Sequence, residues 1–141
     1  MKRPRAFTLL ELVIALAAAA IVAAFAVPGW QAQIARSHRI DAVAALYRAA
    51  QWIDTQNGSM QALPAGFDQA PSTGTPVYGL HVASADASNG GYAIVAEPSA
   101  SGPMRDDACG AFVLDATGAR SNRTAGGLVA AASTQMCWRD R

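Results

Sequence analysis

The chain has 141 residues, which is enough for one domain of ordinary size. Its formal net charge is +1 at pH 7, so no strong electrostatic field toward nucleic acid or acidic partners is expected. Apolar residues make up 52% of the sequence against 15% charged residues, and the apolar excess is concentrated near the N-terminus. These numbers indicate an apolar segment joined to a polar domain.

An apolar stretch from Phe7 to Val27 follows a short basic segment. Glu11 is its only charged residue, and Lys2, Arg3 and Arg5 precede it. Basic residues before an apolar segment hold the N-terminus in the cytoplasm, so we interpret them as a topology signal. Without them the chain carries eight basic and ten acidic residues, a net charge near −2.

Three kinds of N-terminal segment combine a basic start with an apolar stretch. The first is a secretory signal peptide, for which Ala24-Phe25-Ala26 offers a small-x-small cleavage site. The second is a membrane anchor, because an apolar helix of about 20 residues spans the bilayer core. The third is a leader that is cut on the cytoplasmic side, before the apolar stretch.

The acidic residue within the apolar stretch favours the third kind. A carboxylate costs roughly 2.5–3.5 kcal/mol at the centre of a membrane helix and less near its end. A cut before Phe7 would create an α-amino group four residues from Glu11, and the two charges could pair within one subunit or between neighbours. Such pairing would compensate both charges and fix the axial register of packed helices.

The segment Ala6-Phe7-Thr8-Leu9-Leu10-Glu11-Leu12-Val13 resembles the prepilin peptidase motif of type IV pilins. The resemblance implies cleavage between Ala6 and Phe7 and methylation of the new amino group of Phe7. The family nearly always has glycine before the cut, and we expect cleavage here despite Ala6. Prepilin peptidase and the pilus assembly platform are then implied partners.

A second helical segment follows the apolar stretch. Pro28-Gly29 is expected to interrupt the helix, which resumes from Trp30 to Asp54. Its apolar stripe recurs at three- to four-residue spacing and predicts a helix with one packed face: Val43, Leu46, Tyr47, Ala50 and Ile53. We interpret its charged residues, Arg39 and Asp54 among them, as mostly solvated. The proline is also a feature of type IV pilins, which implies that Pro28 helps the helix to bend or unwind within the filament.

The remaining sequence predicts a small antiparallel sheet. Residues 57–72 are loop-like, and three strands are expected at Val77–Val82, Tyr92–Glu97 and Ala111–Asp115. A sheet of three to four strands would cover the amphipathic half-helix, which gives an α+β domain. This arrangement resembles the type IV pilin fold, which implies that the apolar half of the helix protrudes from the domain.

Two cysteines, Cys109 and Cys137, lie in the part of the chain expected to be exported, and an even count there indicates one disulfide. The segment 107–118 and the pair Cys137-Trp138 resemble the C-terminal region of PilE-like minor pilins. The bond would pin the segment 119–136, whose Gly-, Ala- and Ser-rich sequence can bury little apolar surface.

No catalytic constellation or metal-ligand spacing is present in the sequence, so we expect neither an enzyme nor a cofactor or metal site. The pair Asp106-Asp107 is interpreted as solvated. Four arginines could form a basic rim that touches DNA, and a solvated surface is the favoured interpretation: Arg120, Arg123, Arg139 and Arg141.

The sequence therefore predicts three regions: a leader at 1–6, a membrane and filament-core half-helix at 7–28, and a head at 29–141. We expect a minor pilin with other pilin subunits as partners, held in the inner membrane by one span and later part of an extracellular pilus. A pseudopilin of a type II secretion system is the alternative. A soluble binding protein cut after Ala26 is a third, weaker interpretation.

Overall fold

A computed structural model describes residues 7–56, 62–84, 86 and 88–139. The leader, including Ala6, lies outside the described residues, as do residues 57–61 of the predicted loop and Arg141. The chain forms two compact units that divide between Ile34 and Ala35.

The helix α1 (Leu9–Thr55) contributes to both units. It is continuous through Pro28 and Gly29, so the interruption expected there is absent from the helix. A proline removes one backbone donor, but the flanking alanine-rich segments have the highest intrinsic helix propensity and sustain the helix on both sides. A bend at Pro28 within a filament stays a prediction.

The described part of the first unit is almost entirely helix, and from Leu9 to Val27 its surface is apolar on all sides apart from Glu11. Its large side chains are exposed, with Phe7 at 83% and Phe25 at 80%. This helix is long and apolar enough to cross a membrane, by length and composition. A helix that is apolar all around needs lipid or neighbouring helices to cover it.

In the second unit the described residues form a six-stranded antiparallel sheet in which every strand pairs with its neighbour in the chain. The strands are β1 (Gln69–Ala70), β2 (Tyr78–Ala83), β3 (Ala93–Pro98), β4 (Ala111–Asp115), β5 (Arg120–Thr124) and β6 (Gly127–Leu128). The three predicted strands correspond to β2, β3 and β4. The prediction of three to four strands was wrong, since the sheet has six. β1 and β6 were not predicted because they have two residues each, and β5 was not predicted because its sequence is polar and lacks apolar alternation.

One face of the sheet packs on the second-unit part of α1. The buried helix residues are mostly small: Ala42, Ala45, Leu46, Ala49 and Ile53. They meet Tyr78, Ile94 and Phe112 of the sheet, which are all fully buried. The alanines let the helix approach the sheet closely. The buried stripe is rotated relative to the predicted one, and Tyr47 is 41% exposed.

Two charged side chains of α1 that were predicted to be solvated hold the helix to the rest of the unit. Asp54 accepts a hydrogen bond from the Tyr92 hydroxyl at 2.9 Å. Burial, together with Asp54, raises the pKa of Tyr92 to about 12. Arg39 forms an ion pair with Asp107, whose side chain is 8% exposed, so the solvated interpretation of Asp107 was also wrong.

The C-terminal region closes on the sheet through the disulfide Cys109–Cys137, which confirms the predicted pairing. The second cysteine ends a short helix, α2 (Ala131–Cys137), that was not predicted from the sequence. Gly110 follows the first cysteine with φ at +57°, and a side chain there would overlap the backbone carbonyl of Arg123. Only glycine therefore allows this close approach to β5.

Candidate functional site

The start of α1 carries a reciprocal pair of hydrogen bonds between Thr8 and Glu11. The Glu11 backbone N–H donates to the Thr8 hydroxyl oxygen at 3.3 Å, and the Thr8 N–H donates to the Glu11 carboxylate at 3.4 Å. This arrangement is a capping box, which satisfies backbone donors that a helix N-terminus leaves free. Both residues are exposed, so the carboxylate stays accessible to other partners.

A cation–aromatic cluster lies on the surface of the second unit. The Arg120 guanidinium carbon is 5.6 Å from the centre of the Tyr47 ring and 5.5 Å from the Trp138 ring. Both distances are within the range at which an aromatic face attracts a cation. Arg120 opens β5, Tyr47 lies on α1, and Trp138 directly follows α2, so the cluster joins three elements.

Two grooves flank this cluster. The first, which we call the α1 groove, has a volume of about 250 Å³ and lies against Ile40, Val43 and Ala44 of the helix. The second, the α2 groove, has a volume of about 500 Å³ and lies against β6 and α2. The two grooves share three lining residues: Arg120, Trp138 and Arg139.

The indole of Trp138 is held from beneath the surface. Its Nε1–H donates to the side-chain oxygen of Asn122 at 2.7 Å, and the Asn122 amide donates to the Cys109 carbonyl at 2.9 Å. The ring also meets Phe112 edge to face, with 5.5 Å between centroids. Trp138 is 9% exposed and Asn122 is fully buried, so this tryptophan is part of the core as well as of the grooves.

Residues 28–113, well over half of the chain, match the family model described as "Type IV minor pilin ComP, DNA uptake sequence receptor". The chain belongs to this minor pilin family. Residues 1–27 match a second model, the prokaryotic N-terminal methylation motif. Both matches agree with the sequence-based assignment of a minor pilin, which is a structural subunit of a type IV pilus. The first match favours the minor pilin over the pseudopilin and over the soluble binding protein.

Among solved structures, the minor pilin is similar to a type IV pilin from Shewanella oneidensis. The two are 24% identical, the match covers 61% of this chain and 89% of that one, and the TM-score is 0.41. No curated protein sequence matches the chain.

The structure divides the predicted basic rim of the minor pilin. Arg120 and Arg139 line both grooves, whereas Arg123 lines neither. Successive residues of a strand point to opposite faces, so Arg120 and Arg123 lie on opposite sides of β5. Hydrogen bonds from Ser88 lower the pKa of Asp86, and Arg123 contributes to this shift.

The cation–aromatic cluster was not predicted from the sequence, although each of its three residues had been assigned a role. Trp138 was recognised as part of the pair Cys137-Trp138, and Arg120 was assigned to a basic rim. Tyr47 was assigned to the core. The adjacent pair Leu46-Tyr47 was the available signal, because two neighbouring helix residues cannot both point at the centre of a packed face. The packing of α1 on the sheet shows that Leu46 is buried and Tyr47 is partly exposed.

Proposed function

We propose that the head of this minor pilin binds DNA along the surface formed by Arg120, Trp138 and Arg139. The observation that carries the proposal is the pair of arginines shared by two adjacent grooves. Among the described residues, no acidic side chain lines either groove. The family description, a DNA uptake sequence receptor, supports DNA as the ligand.

The rings of Tyr47 and Trp138 restrict the conformations of the Arg120 side chain before it binds phosphate. A guanidinium between two aromatic faces has fewer rotamers to lose when it binds, and its planar group can still donate hydrogen bonds along its edge. Because Arg120 covers one face of each ring, these rings are poorly placed to stack on unpaired bases. The proposed ligand is therefore the sugar–phosphate backbone of duplex DNA.

Replacing Arg120 with glutamine is expected to weaken duplex binding roughly tenfold at low salt, because a charged hydrogen-bond donor to phosphate is lost. The dependence of log affinity on log salt is expected to become shallower by about 0.9, which corresponds to one phosphate contact. The measurement is fluorescence anisotropy of a labelled duplex with the full-length chain in detergent, over a series of salt concentrations.

Arg123→Gln is the matched control, because it removes the same charge from the same strand on its other face. This variant is expected to bind DNA like the wild type. An equal loss in both variants would indicate a diffuse charge effect and would contradict a site at the grooves.

We also propose that the chain is made as a prepilin, cut between Ala6 and Phe7 by prepilin peptidase and methylated at Phe7. It would lie in the inner membrane with its N-terminus in the cytoplasm until it joins the pilus. The match of residues 1–27 to the methylation motif supports this proposal. The basic leader and the exposed apolar helix agree with it.

Mass spectrometry of the N-terminal peptide of the mature chain, purified from the membrane, secreted and pilus fractions, tests this maturation. The expected peptide begins with methylated Phe7. A peptide that begins at Val27 would instead indicate a signal peptide cut after Ala26, and an intact Met1 would show that the leader is retained.

A further inference from the structure

We propose that Asn122 is a positioning residue for DNA binding. It fixes the orientation of the Trp138 indole, and that ring in turn holds the side chain of Arg120. This inference rests on the proposed function. Asn122 itself lines neither groove, so an effect on binding would have to pass through its neighbours.

Both ends of the Asn122 side-chain amide are used. Its oxygen accepts from Trp138 Nε1 at 2.7 Å, and its nitrogen donates to the Cys109 carbonyl at 2.9 Å. The side chain is fully buried, where an amide is costly unless it is hydrogen-bonded. The amide therefore bridges two segments that are distant in sequence, the loop that enters β4 and the end of α2.

The hydrogen bond to Asn122 determines how the indole is oriented. An indole has one N–H, so a fixed partner for that group restricts rotation of the ring in its plane and about its side-chain bonds. The edge contact with Phe112 restricts it further. The Arg120 guanidinium carbon lies over the Trp138 ring, 5.5 Å from its centroid.

Arg120 responds to the position of Trp138 because its other support is the half-exposed Tyr47. If the indole turns, one of the two aromatic faces beside the guanidinium is lost. The Arg120 side chain then samples more rotamers, and binding to phosphate costs more conformational entropy because it has to order that side chain. The cost appears as weaker DNA binding without any loss of charge.

The test compares Asn122→Ala with Asn89→Ala in the full-length chain, with anisotropy of a labelled duplex as the assay. Asn89 is a matched control because it is also buried, at 7% exposure, and donates to the Ser84 carbonyl at 2.9 Å. It lies in the turn between β2 and β3 and lines neither groove. We expect Asn122→Ala to weaken binding roughly fivefold and Asn89→Ala to leave it unchanged.

A double-mutant cycle separates positioning from general destabilisation. In the Arg120→Gln background, Asn122→Ala is expected to cost little further affinity, because the group that it positions is already missing. The indole N–H signal of Trp138, followed by NMR with ¹⁵N-labelled tryptophan, is expected to shift in Asn122→Ala and stay in place in Asn89→Ala.

Unchanged DNA binding of a folded Asn122→Ala variant would overturn the positioning role, and so would a full, additive loss in the Arg120→Gln background. If Asn122→Ala does not fold, Trp138→Phe removes the same hydrogen bond from its other end. Wild-type affinity of that variant would also overturn the proposal. If the wild type and Asn89→Ala both fail to bind the duplex, the proposed function is wrong and the positioning role falls with it.

Discussion

Replacing Glu11 with glutamine is expected to exclude the protein from pili while leaving it in the membrane. Once the leader is removed, the amino group of Phe7 is a positive charge at the end of an apolar helix. Glu11, one helical turn further along, is the proposed partner of that charge, within the subunit or in a neighbouring one. Removing one member of an ion pair in an apolar bundle leaves the other uncompensated, at a cost of roughly 3–5 kcal/mol.

The capping box at the start of α1 makes glutamine more informative than alanine at this position. Glutamine is an acceptable capping-box residue, so Glu11→Gln can keep the hydrogen bond from the Thr8 N–H while losing the negative charge. Glu11→Ala loses both. If pairing with the amino terminus is what assembly needs, the two variants are expected to be equally absent from filaments.

Thr8→Val provides the complementary control, because it removes the capping hydroxyl and keeps the carboxylate. Loss of that cap costs about 0.5–2 kcal/mol of helix stability, and the variant is expected to enter pili. The measurement is immunoblotting of sheared filaments and of membrane fractions. Normal amounts of Glu11→Gln in the filaments would refute the pairing role. If Glu11→Ala were then still excluded, Glu11 would be assigned to helix capping.

Loss of the disulfide is expected to have the largest effect on the stability of the second unit. Cys109 and Cys137 are 28 residues apart, and a loop of that length contributes about 3–4 kcal/mol in the chain-entropy model. The double variant Cys109→Ala, Cys137→Ala is expected to lose this amount of unfolding free energy. Urea unfolding followed by tryptophan fluorescence measures it, since Trp52 and Trp138 lie in this unit.

Reductant supplies the control for the cysteine variant. It is expected to lower the unfolding midpoint of the wild type to that of the double variant and to leave the variant unchanged. A double variant as stable as the oxidised wild type would show that the sheet and its contacts with α1 hold the C-terminal segment without the bond.

The central strands and the long helix could be predicted because their sequences carry a strong periodic signal. The predicted strands at 77–82, 92–97 and 111–115 lie within one residue of β2, β3 and β4. The others could not be found in this way. β1 and β6 have two residues each and are held by pairing with longer neighbours. β5 reads Arg-Ser-Asn-Arg-Thr, in which Asn122 is the one fully buried side chain and apolar alternation is absent.

Errors at the candidate site have the same origin. Because β5 was not recognised, its two-residue period could not separate Arg120 from Arg123, and the arginines appeared as one rim. The partners of Arg39 and Asp54 lie 68 and 38 residues away in sequence, so only the folded chain shows that these charges are paired. The motif at 6–13 needed no such information, since its residues are adjacent in sequence.

The order of the sheet has a consequence for how the head is made. Every strand pairs with the one immediately before or after it, so each new ladder closes a loop of modest length. Short loops lose little entropy on closing, so the strand pairings are expected to form before the longer-range contacts between α1 and the sheet. The sheet is therefore expected to assemble hairpin by hairpin, with the bond between residues 109 and 137 forming after β4 and β5 have met.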